Sequence, residues 1–294
     1  MTIWRGGIAG SVVVFAASVM VGAQQPQQPE PQQPTFSSRL DAVRVDVLVT
    51  DNGRPMQGLT PDDFVVLDNG TPQTVDLAIF ETLPVNMILA LDRSKSVTGE
   101  RLVQLQDAAR TALRALAPRD QAALVTFSQR VALQQALTHD AGAVVAAIDF
   151  AQPGGQTSLF DGVYAGLLAG VNDPSRNLVL VFSDGIDTAS WLSPAQIIET
   201  AKRSDAVVYA LSPKDAGSAS FLRDLTGQTG GSALEVDSLK ELSGRFVAIL
   251  EEFRRRYLLS YSPKGVQPGG WHKLEVRVKN RRATVKARPG YIGR

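Results

Sequence analysis

An aspartate and two serines alternate with basic residues at the end of an apolar run in this 294-residue chain. The run is "NMILALD" (residues 86–92), and it continues directly into "RSKS". Asp92, Ser94 and Ser96 share a parity, so in an extended loop their side chains point to the same side. One carboxylate and two hydroxyls that converge form an all-oxygen set, which suits a hard cation such as Mg²⁺.

Two further segments offer oxygen ligands to the same cation. The apolar run "LVLVFSDG" (178–185) also ends on a carboxylate, that of Asp184. The Gly-rich turn "PGGQTSLFDG" (153–162) lets the backbone come close and places the hydroxyl of Thr157 at the start of a predicted helix. Neutral hydroxyls and at most two carboxylates would leave a bound divalent ion electrophilic, with a position open to an outside carboxylate.

The elements that must position these residues alternate between two patterns across residues 85–250. Continuous apolar runs predict strands that are buried on both faces, and amphipathic segments between them predict helices. Ser193 and Pro194 form a good cap and first turn for one of these helices. The alternation indicates a mostly parallel sheet between two layers of helices. In such sheets ligands bind at the carboxyl ends of strands where the strand order reverses, which is where Asp92 and Asp184 are expected.

Both flanks of this region have short runs that alternate apolar and polar residues and end in turn signals such as Asn52-Gly53 and Asn69-Gly70. Neither flank has enough strands for a stable pair of sheets on its own. We therefore predict an α/β fold in which a doubly wound, Rossmann-like domain (85–256) is inserted into a small β-sandwich-like domain formed by residues 37–84 and 257–294. The alternative is three separate pieces in a row.

The first residues are typical of an export signal. Arg5 precedes an apolar run of signal-peptide length, and small residues follow it, so residues 1–23 are predicted to be cleaved before Gln24. The alternative is a retained membrane anchor. Residues 24–36 are rich in Gln and Pro and predict an extended linker. In either case the folded part is expected to be exported, into the periplasm or the extracellular space.

Composition excludes several kinds of chemistry. The chain has no cysteine, which rules out disulfides, thiolate zinc sites and cysteine nucleophiles. It has only two histidines, and its formal net charge is +1. With so small a net charge, the protein as a whole does not attract nucleic acid or membranes electrostatically. We therefore expect no nucleic-acid partner, and membrane contact only if the N-terminal segment stays uncleaved.

The motif D-x-S-x-S after the first strand, a threonine in a Gly-rich loop and Asp-Gly after a later strand together resemble the von Willebrand factor type A (VWA) domain. The resemblance covers residues 85–250. The flanks, including "VLVTDNGRPMQGLTPDDFVVLDNGTPQ" and "RRRYLLSYSP", resemble a secreted bacterial VWFA-related group.

The resemblance implies a metal-ion-dependent adhesion site (MIDAS) for Mg²⁺, or for Mn²⁺ or Ca²⁺. Its direct ligands would be Ser94, Ser96 and Thr157, with Asp92 and Asp184 acting partly through water. The family usually has a small residue at the position of Lys95, and Arg93 adds a second cation nearby. By parity both should point away from the metal. They form either a solvated loop or a rim that attracts an acidic partner.

The resulting hypothesis is an exported, non-enzymatic, metal-dependent protein-binding module for adhesion or assembly, whose protein ligand presents an Asp or Glu carboxylate. One alternative is a structural envelope scaffold with an inactive metal site. Another is a metal-dependent hydrolase. Phosphatases of another α/β class carry a second aspartate where this chain has Ser94, and no G-x-S-x-G motif is present. Hence the sequence favours a binding protein over an enzyme.

Overall fold

The computed structural model describes six stretches of the chain: residues 42–81, 83–150, 153–171, 173, 175–214 and 220–293. The predicted signal peptide (1–23) and linker (24–36) lie outside the described residues and stay predictions. Within the described stretches, no helix has the length and the apolar character needed to cross a bilayer.

Short strands joined by tight turns precede the α/β region. Asn52 and Asn69 adopt positive φ angles of 47° and 48°, as Asn-Gly pairs do in the turns of two-stranded hairpins. Each of these turns joins two antiparallel strands, as the sequence predicted. The strands are β1 (Val43–Asp51), β2 (Arg54–Pro55), β3 (Phe64–Asp68), β4 (Thr71–Gln73) and β5 (Leu77–Phe80).

The α/β region is built on a six-stranded sheet, counted over the described residues. Its strands are β6 (Val85–Asp92), β7 (Gln121–Phe127), β8 (Val131–Thr138), β9 (Arg176–Phe182), β10 (Val207–Pro213) and β11 (Ala233–Val236). Their spatial order is β11-β10-β9-β6-β7-β8. All neighbours are parallel except β7 and β8, so the sheet is mostly parallel, as predicted.

The order of the sheet reverses between β6 and β9. From β6 the chain builds outward through β7 and β8, and it then returns to the other side of β6 to add the remaining strands. The carboxyl ends of β6 and β9 therefore border the crevice in which open α/β sheets bind their ligands.

Helices cover both faces of this sheet. Along β6, Met87 and Leu89 pack into one apolar cluster, whereas Ile88 and Ala90 pack into the other. This alternation between two buried faces explains why the strand reads as a continuous apolar run. The helices are α1 (Glu100–Arg114), α2 (Ala141–Phe150), α3 (Leu159–Leu168), α4 (Pro194–Arg203), α5 (Ser220–Thr229) and α6 (Leu242–Arg254). The first cluster takes side chains from α1, α2 and α6, and the second from α3, α4 and α5.

Strands from both chain ends combine into two antiparallel sheets. The C-terminal strands are β12 (Tyr257–Tyr261), β13 (Gly270–Val278), β14 (Thr284–Lys286) and β15 (Gly290–Gly293). One sheet has the order β14-β1-β12-β5, and the other has the order β15-β13-β3-β4. Their buried side chains share one apolar cluster, which gives the predicted sandwich-like arrangement. The residue limits of the predicted domains stay predictions.

Two arginines connect these sheets to the α/β region. Arg176, the first residue of β9, donates from Nε to Oδ1 of Asp46 on β1 at 2.7 Å and from Nη2 to the carbonyl of Phe253 on α6 at 3.0 Å. Both partners of the ion pair are buried. Arg288, which lies between β14 and β15, donates to the carbonyls of Lys202 and Ser204 at the C-terminal end of α4.

Removing residues 257–294 is expected to expose the amides of β1, β3 and β5 to hydrogen exchange. The deletion takes away β12, which pairs with β1 and β5, and β13, which pairs with β3. Strands that lose their ladder partners lose protection. Exchange measured by mass spectrometry should show this loss, with β6 still protected as the internal control. Protection of β1 unchanged by the deletion would contradict the interleaved arrangement.

Candidate metal centre

Asp92 ends β6 and is held in a fixed orientation by two donors. Its Oδ1 accepts a hydrogen bond from the backbone N–H of Ser94 at 2.8 Å, and its Oδ2 accepts one from Oγ of Ser183 at 2.8 Å. Ser183 directly follows β9, in which Phe182 pairs with Leu91. The two donors thus come from the loop after β6 and from the neighbouring strand, so the sheet register itself fixes the carboxylate.

The hydroxyls of Ser94 and Ser96 lie 2.9 Å apart. The chain between them does not stay extended, because residues Lys95–Val97 form a single 3₁₀ turn, yet the turn still brings the two hydroxyls together. Ser94 is buried and Ser96 is exposed to solvent. The two hydroxyls therefore extend the polar site from the buried carboxylate of Asp92 to the protein surface.

The Gly-rich loop lies against the loop that follows β6. The N–H of Gly154 donates to the carbonyl of Arg93 at 2.8 Å, and the N–H of Lys95 donates to the carbonyl of Gly155 at 3.1 Å. Gly155 has a φ of 82°, and a Cβ there would lie 2.9 Å from Cβ of Gln129. Only glycine fits this close backbone contact. The contact holds the segment that leads to Thr157, which is buried just before α3, against the loop that carries Ser94 and Ser96.

Asp184 follows Ser183 at the end of β9 and is partly exposed. Its Oδ1 accepts a hydrogen bond from the N–H of Ile186 at 3.2 Å. Burial raises the pKa of Asp92 to about 6, the hydrogen bonds from Ser94 and Ser183 oppose this rise, and the charge of Asp184 adds to it. Two carboxylates thus meet at the topological switch point, and a divalent cation would relieve their repulsion.

The donor set fits a hard cation. In the described residues, no group of three or more His, Asp or Glu side chains forms a metal cluster. The structure instead places two carboxylates beside several hydroxyls, the chemistry on which the sequence prediction rests. It brings together Asp92, Ser94, Ser96 and Asp184 and places the loop of Thr157 against them. Their roles as metal ligands stay predictions.

Arg93 is not part of an exposed rim, and this prediction was wrong. Its side chain is buried and lines a small cavity together with Leu105 of α1 and Leu124 of β7. Its Nη2 has no hydrogen-bond partner within the described structure. Burial lowers its pKa to about 10. Lys95, by contrast, is exposed, so it alone stays a candidate for the rim.

Two residues near the site were missed from the sequence. Ser183 was passed over because it precedes the aspartate of "FSDG", although a serine at the end of a buried strand next to Asp184 was a usable signal. Thr188 accepts a hydrogen bond from the N–H of Thr157 at 2.9 Å through its Oγ1. From the loop between β9 and α4, Thr188 orients the backbone of Thr157, the predicted ligand. No sequence motif pointed to Thr188.

The fold and this arrangement place the chain in a known class of protein. Residues 86–247 match the von Willebrand factor type A domain, which is more than half of the chain. The chain therefore belongs to the VWA family. No protein of curated function matches it.

Solved structures share the fold at low sequence identity. Proximal thread matrix protein 1 from the mussel byssus is 17% identical, with a TM-score of 0.54 over 64% of this chain and 51% of its own. Its form with a zinc-occupied MIDAS motif is 18% identical, with a TM-score of 0.54 over 64% and 50%. A D319A mutant of the PilB minor pilin from Streptococcus sanguinis is 15% identical, with a TM-score of 0.50 over 59% and 62%. The chain thus spans about half the length of the mussel protein.

Proposed function

We propose that this chain is an exported, metal-dependent protein-binding module for adhesion or assembly. Ser94, Ser96 and Thr157 would hold a divalent ion, with Asp92 and Asp184 supplying negative charge partly through water. The ion would be Mg²⁺, or Mn²⁺ or Ca²⁺. The observation that carries the proposal is the serine pair, whose hydroxyls lie 2.9 Å apart beside two carboxylates at the reversal of the sheet.

When bound, the ion would offer an electrophilic position to a carboxylate from outside. The chain's own residues set up that position. Ser94 and Ser96 contribute neutral oxygens, and the buried carboxylate of Asp92 is held in a fixed orientation by its two donors. The exposed ammonium of Lys95 favours the approach of an acidic partner. We therefore infer that the partner is a protein that presents an Asp or Glu side chain.

Three further considerations support this function. The residues at the site are oxygen acceptors and hydroxyls, which suits ligand capture, and we assign no catalytic step to them. In the mussel byssus protein of the same fold, a MIDAS motif holds zinc, which supports a divalent ion in the corresponding motif here. The signal-like residues 1–23 support a location outside the cytoplasm.

Binding to acidic peptides tests the proposal. In Mg²⁺ the protein is expected to bind arrayed pentapeptides that have a central Asp more strongly than otherwise identical peptides that have a central Asn. Chelation with EDTA should abolish the difference. Thr157→Val removes one hydroxyl ligand, and we expect it to weaken apparent metal affinity by about 10- to 100-fold.

The matched control is Thr200→Val on α4, whose hydroxyl donates to the carbonyl of Gln196 within the same helix. It should bind as the parent does. Peptide binding that persists in EDTA and is released only by salt would overturn the proposal. A protein that neither binds these peptides nor gains thermal stability from Mg²⁺ would favour the scaffold with an inactive site.

A further inference from the structure

Two large apolar side chains are exposed in the loop between β9 and α4. Trp191 is 96% exposed and Ile186 is 49% exposed. We call residues 186–192 the tryptophan loop. Single exposed apolar residues are ordinary on protein surfaces. The tryptophan loop differs because it carries two of them and because its backbone is tightly held.

Hydrogen bonds fix the tryptophan loop onto the first turn of α3. Asp161 accepts from the N–H of Trp191 and from the N–H of Leu192, each at 3.0 Å. Ser190 Oγ accepts from the N–H of Phe160 at 3.0 Å and donates to Asp187. The N–H groups at the start of α3, which need partners from outside the helix, thus bond to this loop. Trp191 consequently stands on a rigid support.

The same loop is bonded to both sides of the candidate metal centre. At its start, the N–H of Ile186 donates to Asp184 at 3.2 Å. In its middle, Thr188 exchanges hydrogen bonds with Thr157 at 2.9 Å, and the N–H of Ala189 donates to the carbonyl of Thr157 at 3.1 Å. Residues that would hold the ion and residues that present Trp191 therefore belong to one hydrogen-bonded unit.

A rigid exposed tryptophan in a loop that is hydrogen-bonded to residues of the candidate metal centre is suited to binding. Tryptophan supplies a large apolar surface with few rotatable bonds, and it is enriched among the residues that dominate interface energies. Because the backbone of Trp191 is already ordered, less conformational entropy is lost when a partner covers it. The exposed Lys95 and the proposed ion supply the charge that complements an acid.

We propose that Trp191, with Ile186, forms an apolar contact beside the metal centre for the residue next to the partner's coordinating carboxylate. The occupant is an acidic segment of a protein in which a large apolar or aromatic side chain lies within two residues of the Asp or Glu. This inference rests on the proposed function and adds a specificity to it. The carboxylate provides metal dependence, and the neighbouring side chain selects among acidic segments.

A peptide array with acetylated pentapeptides and a fixed central Asp tests the inference. Each flanking position is scanned through Phe, Leu, Ser and Lys, in Mg²⁺ and in EDTA. The parent protein is expected to prefer Phe or Leu over Ser by about tenfold at one flanking position, in keeping with a tryptophan that dominates an interface. Trp191→Ser should remove that preference, and Trp191→Phe should restore most of it.

Two controls make the result specific. Trp271→Ser alters the partly exposed tryptophan of β13 and should leave the preference intact. Trp191→Ser should keep the Mg²⁺-induced rise in melting temperature, because Trp191 bonds to Asp161 through its backbone, which the substitution retains.

The failures of the two proposals are distinguishable. Binding that EDTA abolishes in Trp191→Ser, with the Phe preference unchanged, would overturn this inference and leave the metal-dependent function standing. Binding that EDTA does not affect in the parent protein would overturn the proposed function, and this inference with it. A parent protein that binds Ser-flanked and Phe-flanked peptides equally in Mg²⁺ would also overturn the inference.

Discussion

Asp92→Asn is expected to abolish the rise in melting temperature that Mg²⁺ gives the parent protein. An ion that binds only the folded state stabilises it by about 2.7 kcal/mol at a concentration of 100 times its dissociation constant. For a chain of this size that is a rise of roughly 5–10 °C. The substitution keeps the shape of the side chain but removes the charge that faces the ion. Thermal unfolding followed by fluorescence measures both proteins with and without Mg²⁺.

The same variant should change how the metal-free protein responds to pH. Burial raises the pKa of Asp92 to about 6 from the model-compound value of 3.8, so the folded state takes up this proton before the unfolded state does. The contribution of Asp92 therefore makes the metal-free parent more stable as pH falls through 6 toward 3.8, and Asp92→Asn should lack this gain. Asp62→Asn, at an exposed carboxylate, is the matched control. In the Mg²⁺ experiment, an equal rise in melting temperature for Asp92→Asn and the parent protein would place the ion elsewhere.

Asp46→Ala is expected to lower the free energy of unfolding by about 3–5 kcal/mol, the usual loss when one partner of a buried ion pair is removed. It leaves the Arg176 guanidinium buried between β1, β9 and α6 without its carboxylate. Urea unfolding measures the loss. Asp51→Ala, at the exposed end of the same strand, is the control and should change stability little.

A double variant checks the physical cause of this loss. Asp46→Leu combined with Arg176→Met replaces the buried pair with apolar side chains, and it should recover most of the stability. If Asp46→Ala alone lowers the free energy of unfolding by less than about 1 kcal/mol, the ion pair contributes no more than an exposed pair does. Burial of the pair would then not explain its contribution to stability.

Strands buried on both faces were the easiest elements to predict from the sequence. β6 and β9 are covered by helices on either side, so nearly every position is apolar and the run is unmistakable. β8 was missed because it lies at the edge of the sheet, has no fully buried residue and pairs with β7 through irregular register shifts. β11 has only four residues, which is too short for a pattern to emerge.

The candidate site was predictable where it depends on strand ends. Asp92 and Asp184 each follow an apolar run, and parallel strands bring such ends to one edge. The partnership of Asp92 with Ser183 depends on the register of β6 against β9, which a single sequence does not reveal. Arg93 was placed wrongly because parity gives the direction of a side chain but not whether a helix covers that side. Here α1 covers it.

The ion pair between Asp46 and Arg176 also gives mechanical force a short path from β1 into the central sheet. A pull on the chain at Val43 acts along β1, whose hydrogen bonds to β12 and β14 run across the strand and are therefore loaded together in shear. From Asp46 the force passes through Arg176 directly into β9. At its other end β9 leads to Asp184, so one ion pair and one strand join β1 to the candidate metal centre, with α6 bonded to the same guanidinium.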